Sequence, residues 1–534
     1  MGTPTIRRPD LFRPPLDYPR MPYDRMLADT AGRVPENVAV VSGDASLTYR
    51  ELDALTNRFA RALARLGVGR GDRVCLLTPN CPEYVVAFYA IARVGAVVSP
   101  MNPSYREREI EYQLGDTDAV ALIAHRSLLP LVASVRARTP ALKHVIAIGA
   151  ADGGGPPGTH GFVDLVAAEP ASPPSAARVG EEDLLALPYS SGTTGLPKGV
   201  MLSHRNLVTN NVQFVASVRL REIDRLMIFL PFYHIYGAML MGGAVLAGAT
   251  SVLMERFEPT ACLQLVQRHG VTCFFAVPPV LLALSNWPRL GDHDFSSVRF
   301  TLVGAAPVPP ELARRFGALT GAPVLQGYGM TEASPITHLN PVHDPDLIAL
   351  DSAGLPVHDT EQKVVDLETG ERTLGPGEVG EICIRGPQIM QGYWRAPEAT
   401  AATLRDGWYH SGDIGYVDER GYVFIQDRKK EMIKYKGLGI APAEIEALLL
   451  EHPAVADAAV IGVPHPEAGE VPKAFVVRRP DHPGLDAETV VAFVRGRLAA
   501  YKTPAIVEFL DAIPRTPSGK ILRRVLKERE RSAS

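Results

Sequence analysis

Between Thr48 and Ser99 the apolar residues change period twice, and that rhythm constrains the fold more than any single residue does. Thr48 followed by Glu51 makes a capping box. Leu52, Leu55, Phe59, Leu63 and Leu66 then recur at steps of three and four, which predicts a helix with one apolar face. Gly67 and Gly69 stop it. Arg73–Leu77 reads as a buried strand, Glu83–Val94 as a second helix and Ala96–Ser99 as the start of another strand. Strands and helices in alternation call for an α/β fold, with a largely parallel sheet covered on both faces.

A chain of 534 residues exceeds what one compact core holds, so at least two domains are expected. Ala151–Gly180 is rich in Gly, Pro, Ala and Ser and reads as a surface connection. The second break is the charged stretch Asp427-Arg428-Lys429-Lys430-Glu431, after a predicted strand Tyr422–Gln426. Beyond it come a helix (Ala443–Leu450), two strands (Val455–Gly462 and Lys473–Arg478), a helix (Ala487–Leu498) and a strand (Ile506–Leu510). That tail is long enough to be an α/β domain of its own, giving expected domains of residues 1–427 and 428–534.

The net charge of −4 and the lack of a long basic run argue against a nucleic-acid or membrane-surface partner. Met1–Pro22 has no apolar h-region, Val85–Val98 is interrupted by Arg93, and Met239–Leu253 is too short to span a bilayer. A cytoplasmic location without integral membrane association is expected, as monomer or homodimer. Cys75, Cys81, Cys262, Cys273 and Cys383 show no CxxC spacing and read as buried small side chains in a reducing compartment.

Tyr189-Ser190-Ser191-Gly192-Thr193-Thr194-Gly195-Leu196-Pro197-Lys198-Gly199 carries the clearest chemistry. A short apolar strand, Leu184–Pro188, precedes it, and Ser203–Val208 looks like a helix start. The glycines let backbone N–H groups point inward, the hydroxyls add donors, and Lys198 adds a cation. Such a loop suits a polyphosphate. It is not the Walker pattern, because Gly199 follows Lys198 and only three residues separate Gly195 from Gly199.

With Met201-Leu202-Ser203-His204 after it, this stretch resembles the first core motif of the adenylate-forming superfamily: acyl-CoA synthetases, 4-coumarate–CoA ligases, luciferases and peptide-synthetase adenylation domains. Further motifs follow in order from about residue 46 to Lys520. The resemblance implies a large N-terminal domain with parallel-rich sheets and a small mobile α+β C-terminal domain. It also implies ATP, Mg²⁺ and coenzyme A as cosubstrates and cofactor, with a small-molecule carboxylic acid as the group activated.

Gly327-Tyr328-Gly329-Met330-Thr331-Glu332 follows a predicted strand, Pro323–Gln326. An aromatic can stack on adenine, a Thr hydroxyl can bond a phosphate and a carboxylate can hold Mg²⁺. The resemblance implies those roles for Tyr328, Thr331 and Glu332. Gly304-Ala305-Ala306-Pro307 ends the predicted strand Arg299–Val303, and with Gln326 it is implied to form the nucleotide pocket. Trp408-Tyr409-His410-Ser411-Gly412-Asp413 offers an acid in a tight turn. The resemblance gives Asp413 the ribose hydroxyls, with Arg428 helping, and adds Lys434 to the nucleotide contacts.

Arg515-Thr516-Pro517-Ser518-Gly519-Lys520 is a turn before a basic helix, and the last family motif has its catalytic lysine at Lys520. A carboxylate attacking the α-phosphate of ATP meets another anion, and an ammonium between them offsets the repulsion. Mg²⁺ neutralises the departing pyrophosphate. The resemblance further implies that the small domain rotates before the thiol enters, with Lys430 as hinge. Lys436-Gly437 resemble the coenzyme A contact, Gly437 allowing pantetheine close to the backbone. Arg256 falls near a position that relatives aim toward coenzyme A. Gly439 departs from the pattern, standing where relatives commonly carry Gln or Arg, so adenylation or domain poise is expected to be altered.

Pro231-Phe232-Tyr233-His234-Ile235-Tyr236-Gly237 heads a helix whose inner face would carry Tyr236 and Leu240. In acyl-CoA synthetases this His borders the acyl pocket, so His234 is the candidate gate or carboxylate contact. Gly304, Gly329, Pro335 and Ile336 could line the far wall. No Asp stands here to hold a substrate amine, which disfavours amino acids. Leu240 suggests an apolar acyl group, and fatty, aryl and terpenoid acids all stay open. The function expected is acyl-CoA synthesis through an acyl-adenylate. The alternatives are an adenylating enzyme that loads a carrier protein and a non-catalytic nucleotide-binding relative.

Overall fold

The computed structural model describes residues 13–149, 158–175, 179–190, 197–428, 431–435, 438–465, 468–516 and 519–533. The opening rhythm folds as expected. Thr48 Oγ1 accepts the Glu51 N–H, and the Glu51 carboxylate accepts the Thr48 N–H, so both ends of the capping box close on the helix Tyr49–Arg65. The strand Arg73–Leu77, the helix Pro82–Arg93 and the strand Val97–Pro100 complete a parallel βαβ unit.

Two nine-stranded sheets carry the bulk of the chain. In one, the strands Phe300–Val303, Cys273–Ala276, Arg225–Ile228, Thr250–Leu253 and Val38–Ser42 run parallel in that spatial order. Val324–Gly329 adds in parallel to Phe300–Val303 and then pairs antiparallel with Ile336–Leu339. In the other, Arg73–Leu77 lies between Val97–Pro100 and Ala121–His125, both parallel to it. Helices wedge between the sheets and share one apolar core with them, from Leu52 and Phe59 through Phe214 and Leu240 to Phe316. The parallel-rich, helix-covered architecture is as the sequence predicts.

A third sheet, entirely antiparallel, joins Glu361–Val365, Gly380–Arg385, Trp408–Val417 and Val423–Arg428. A fourth contains only residues from Ile433 onward, and its apolar residues form separate clusters around Ile445, Val460 and Val476, and around Ile461 and Phe475. The helix Pro442–Leu450 and the strands Val455–His465 and Gly469–Arg478 lie where the tail pattern puts them. The helix expected to reach Leu498 stops at Arg495, because Gly496 ends the apolar face.

The helix start expected at Ser203–Val208 is present, with Ser203 capping the helix His204–Val218 after the strand Lys198–Ser203. Three local expectations need correction. The connection Ala151–Gly180 holds a strand, Thr159–Gly161, and a helix, Phe162–Ala167, whose Phe162 ring packs 4.5 Å from Phe59. Its small residues masked one amphipathic turn. Asp413 lies within the strand Trp408–Val417, where Gly412 at φ 70° gives the chain a local kink without ending it. Asp427 and Arg428 likewise belong to a strand rather than following one.

Candidate active site

The site lies at the C-terminal ends of the parallel strands Phe300–Val303 and Val324–Gly329, where open α/β sheets hold ligands. The Gly- and hydroxyl-rich stretch is paired at its two ends: Ser190 stands opposite Lys198, and Tyr189 opposite Gly199. Ser191, Gly192, Thr193, Thr194 and Gly195 lie outside the described residues, as do Lys430, Lys436 and Gly437. A side chain at Gly199 would press on Trp394 Cβ at 3.2 Å and on the Tyr189 ring at 3.3 Å, so glycine allows the strand to pass between two aromatics.

Lys198 Nζ stands 5.4 Å from the centre of the Tyr393 ring. The Tyr393 hydroxyl donates to Glu332 Oε1 at 2.9 Å, and Glu332 is only 8% exposed. Thr331–Ala333 forms a single 3₁₀ turn, held from outside by the Met390 N–H on the Glu332 carbonyl at 2.9 Å. Lys198, Tyr393, Glu332 and Thr331 therefore share one corner. One buried carboxylate fits Mg²⁺, which keeps several waters and takes substrate phosphates as ligands. Among the described residues no cluster of three His, Cys, Asp or Glu side chains forms a closed protein cage.

The second corner centres on Asp413, 5% exposed. Tyr328 Oη donates to Asp413 Oδ2 at 2.5 Å, and Arg428 Nε lies 3.0 Å from Asp413 Oδ1. Strand register does this work, since Asp413 is the direct partner of Arg428. Asp413 holds Arg428 above the ordinary guanidinium range, against the opposing effect of burial. Burial and the Asp413 charge push the Tyr328 phenol well above 10, so it remains a donor. Gln326 Oε1 accepts the Val308 N–H at 2.7 Å and ties the Gly304–Pro307 loop to the next strand. Ala305 takes a left-handed φ of 71° in that loop.

The turn carrying Lys520 is built on its own hydrogen bonds. Thr516 N–H donates to the Lys520 carbonyl at 2.8 Å, and the Lys520 N–H to Thr516 Oγ1 at 3.0 Å. Gly519 sits at φ 84°, and a Cβ there would lie 3.2 Å from Pro279, just beyond the strand Cys273–Ala276. The turn is thus docked onto the strand ends of the large sheet. The half-buried Lys520 ammonium is held below its ordinary pKa of 10.5, first by burial and then by Arg428, with Asp413, Glu332 and Glu431 pulling the other way. Both corners of the site act on this one ammonium.

His234 caps the helix Ile235–Ala247, its Nδ1 accepting the Tyr236 N–H at 3.3 Å. Burial and the Lys520 charge lower its pKa to about 4, so it is neutral at pH 7. Tyr236 Oη donates to the Leu302 carbonyl at 3.2 Å, which lays its ring beside Gly304. Pro335 packs against Gly329, and Ile336 and Leu240 are buried. Arg256 is not drawn into this group: its side chain is 89% exposed beside Glu255. Lys434 is exposed as well, opposite Gly439 in the hairpin formed with Leu438–Ile440.

Three contributors were not singled out in the sequence. Tyr393 reaches Glu332 only because Gly392–Tyr393 pairs with Val200–Met201 across the molecule. Glu381 accepts the Gly412 N–H at 3.0 Å and braces the kink beside Asp413. Glu431 pairs with Arg523 and favours the charged form of Lys520. The aromatic pair Tyr393-Trp394 after a glycine was the one local signal; the others depend on pairing alone.

Comparison with known proteins gives the family of the chain. Residues 27–394 match the family described as AMP-binding enzyme, and residues 444–520 match the AMP-binding enzyme C-terminal domain. The chain is 43% identical over 492 residues to 4-coumarate–CoA ligase 5 of Oryza sativa subsp. japonica, covering 90% of this chain and 89% of that one. It is 36% identical over 529 residues to a long-chain-fatty-acid–CoA ligase of Bacillus subtilis (strain 168), covering 95% and 94%. The crystal structure of the anthranilate CoA ligase AuaEII in complex with anthranoyl-AMP superposes with a TM-score of 0.90 at 30% identity, covering 97% of this chain and 99% of that one. The chain belongs to the AMP-binding enzyme family of adenylate-forming enzymes.

Proposed function

We propose that this chain joins an apolar carboxylic acid to coenzyme A in two half-reactions at one site. In the first, a carboxylate oxygen attacks the α-phosphorus of ATP, the bond to pyrophosphate breaks, and an acyl-adenylate forms. In the second, the thiol of coenzyme A attacks the acyl carbonyl and AMP departs. The observation that carries this reading is the position of Lys520, whose ammonium is within electrostatic reach of Glu332, Asp413 and Arg428 at once.

The chain's own groups divide the work. Tyr328 with Gly304, Ala305, Ala306, Gln326, Gly327 and Gly329 receives the base, and Asp413 with Arg428 takes the ribose. Ser190, Lys198, Thr331 and the loop residues between Ser190 and Lys198 take the phosphates. Lys520 bridges the incoming carboxylate and the α-phosphate, which repel each other unless a cation stands between them. Glu332 would hold Mg²⁺, which when bound neutralises the pyrophosphate. Neutral His234 borders the carboxylate, and Tyr236, Leu240, Gly304, Gly329, Pro335 and Ile336 surround the acyl group. The apolar wall suits a fatty, aryl or terpenoid acid; the two relatives above are named for 4-coumarate and for long-chain fatty acids.

The thiol needs room where Lys520 now stands, so residues 428–534 are assigned to a small domain that turns about Lys430 between the half-reactions. Lys436, Gly437 and Arg256 are assigned to coenzyme A. Among the described residues no helix is long and apolar enough to cross a membrane. A cytoplasmic monomer or homodimer without nucleic acid fits the charge and composition. The test is a panel of carboxylic acids with ATP and Mg²⁺, with and without coenzyme A. The reading expects acid-dependent pyrophosphate release and a thioester that requires coenzyme A. Adenylate without thioester would redirect the second step to another acceptor, and no pyrophosphate with any acid would refute catalysis.

A further inference from the structure

The helix Pro442–Leu450 begins without a cap of its own. Ala441 at the cap position has no side-chain acceptor, and Pro442 has no N–H. The first free donor, the Ala443 N–H, points instead at Asp427 Oδ2, at 3.0 Å. Asp427 lies sixteen residues earlier on the strand Val423–Arg428, which pairs with Trp408–Val417 in the third sheet. Its other oxygen accepts the Arg428 N–H at 2.7 Å, and the residue is 7% exposed. A buried carboxylate of one unit thus serves as the missing N-terminal cap of a helix in the other.

That helix is tied to the turn bearing Lys520. Its Ile445 and Leu449 enter the same apolar cluster as Val455 and Val460. Its Glu446 takes two bonds from Arg523, at 2.7 and 2.8 Å, and Arg523 stands three residues beyond Lys520. Arg523 also donates to the Val460 carbonyl at 3.2 Å and pairs with Glu431. The Arg523 charge favours ionised Asp427, although burial raises that carboxyl to about 6.

We infer that Asp427 is a positioning residue for the first half-reaction, its carboxylate capping the helix Pro442–Leu450 across the proposed hinge and so holding Lys520 in the site. The inference rests on the two-step reading above. Asp427 precedes Lys430 and Ala443 follows it, so a turn about Lys430 separates the carboxylate from the N–H. The cap therefore favours only the arrangement with Lys520 inside. Losing a helix cap shifts such an equilibrium by about tenfold, equivalent to about 1.4 kcal/mol.

The experiment measures the half-reactions separately in the full chain: acid-dependent ATP–pyrophosphate exchange, and thioester formation from supplied acyl-adenylate and coenzyme A. Asp427→Ala is expected to slow exchange, by up to about tenfold, while thioester formation holds or rises. Asp427→Asn retains an oxygen acceptor and should fall between wild type and Ala. It also serves as the measurable variant should Ala fail to fold, which thermal unfolding would reveal. Equal losses in both half-reactions, or unchanged exchange in both variants, would overturn the inference. Wild-type enzyme without exchange would instead refute the ligase reading on which it stands.

Discussion

Tyr328→Phe separates two roles that one residue combines. The ring stays, so stacking on the base is preserved, while the 2.5 Å bond to Asp413 Oδ2 is lost. Among the described residues Asp413 then keeps the Arg428 contact at 3.0 Å. A hydrogen bond to a charged group contributes about 1.5–3 kcal/mol, and the substrate ribose can recover part of it. A net loss of about 1.4 kcal/mol corresponds to a tenfold rise in KM for ATP. The carboxylate is 5% exposed, so bulk water replaces little of the missing donor. Steady-state kinetics with ATP varied at saturating acid should show that rise with kcat within about twofold, since the interaction is made before and during the chemical step alike. An unchanged KM, or a loss confined to kcat, would refute Asp413 as a ribose site preorganised by Tyr328.

Gly304→Ala places a methyl 3.2 Å from the Tyr236 ring and should narrow the acyl pocket. Across an acid series, kcat/KM is expected to fall about tenfold or more for the bulkiest substrates while small acids are spared; a uniform loss would contradict the pocket assignment. Gly242→Ala drives a buried methyl to 2.2 Å from Tyr23 Oη and 2.7 Å from the Asn211 amide. Denaturant unfolding should register a loss of about 1–3 kcal/mol, and a stability equal to wild type would show that the residues around Tyr23 are not held as described. Because burial and Arg428 lower the Lys520 pKa, its ammonium is lost as pH rises through a value below 10.5. The kcat/KM for ATP in adenylation should therefore decline on the alkaline side below that value, a limb absent from thioester formation with supplied adenylate; the same limb in both half-reactions would remove Lys520 as its source.

What could be read in the sequence was what depends on neighbours in the chain. The capping box at Thr48 and Glu51, the βαβ unit after it and the helix headed by His234 follow from spacing alone, and each is present. Ordered motifs also placed Tyr328, Asp413, Arg428 and Lys520 in one group, and the structure brings them together. What stayed hidden depends on pairing between distant strands. Asp413 looked like a turn residue because glycine and serine precede it, yet cross-strand bonds to Glu381 and Arg428 carry the strand through. Tyr393 joins Glu332, sixty-one residues away, by a register that no local pattern encodes. Arg13 is another case: an N-terminal stretch without periodicity is fixed by its guanidinium on the carbonyls of Leu339, Leu355 and Pro356. The helix cap supplied by Asp427 was invisible for the same reason.

The central claim is that a carboxylate oxygen attacks the α-phosphorus with Lys520 between the two anions. Carboxylic acid labelled with ¹⁸O in both oxygens tests it directly when the products of one complete turnover are analysed by mass spectrometry. The account predicts one ¹⁸O in the phosphate of AMP and none in pyrophosphate, because the attacking oxygen leaves with AMP when the thiol takes the acyl group. Label in pyrophosphate or orthophosphate, or AMP free of label, would contradict it.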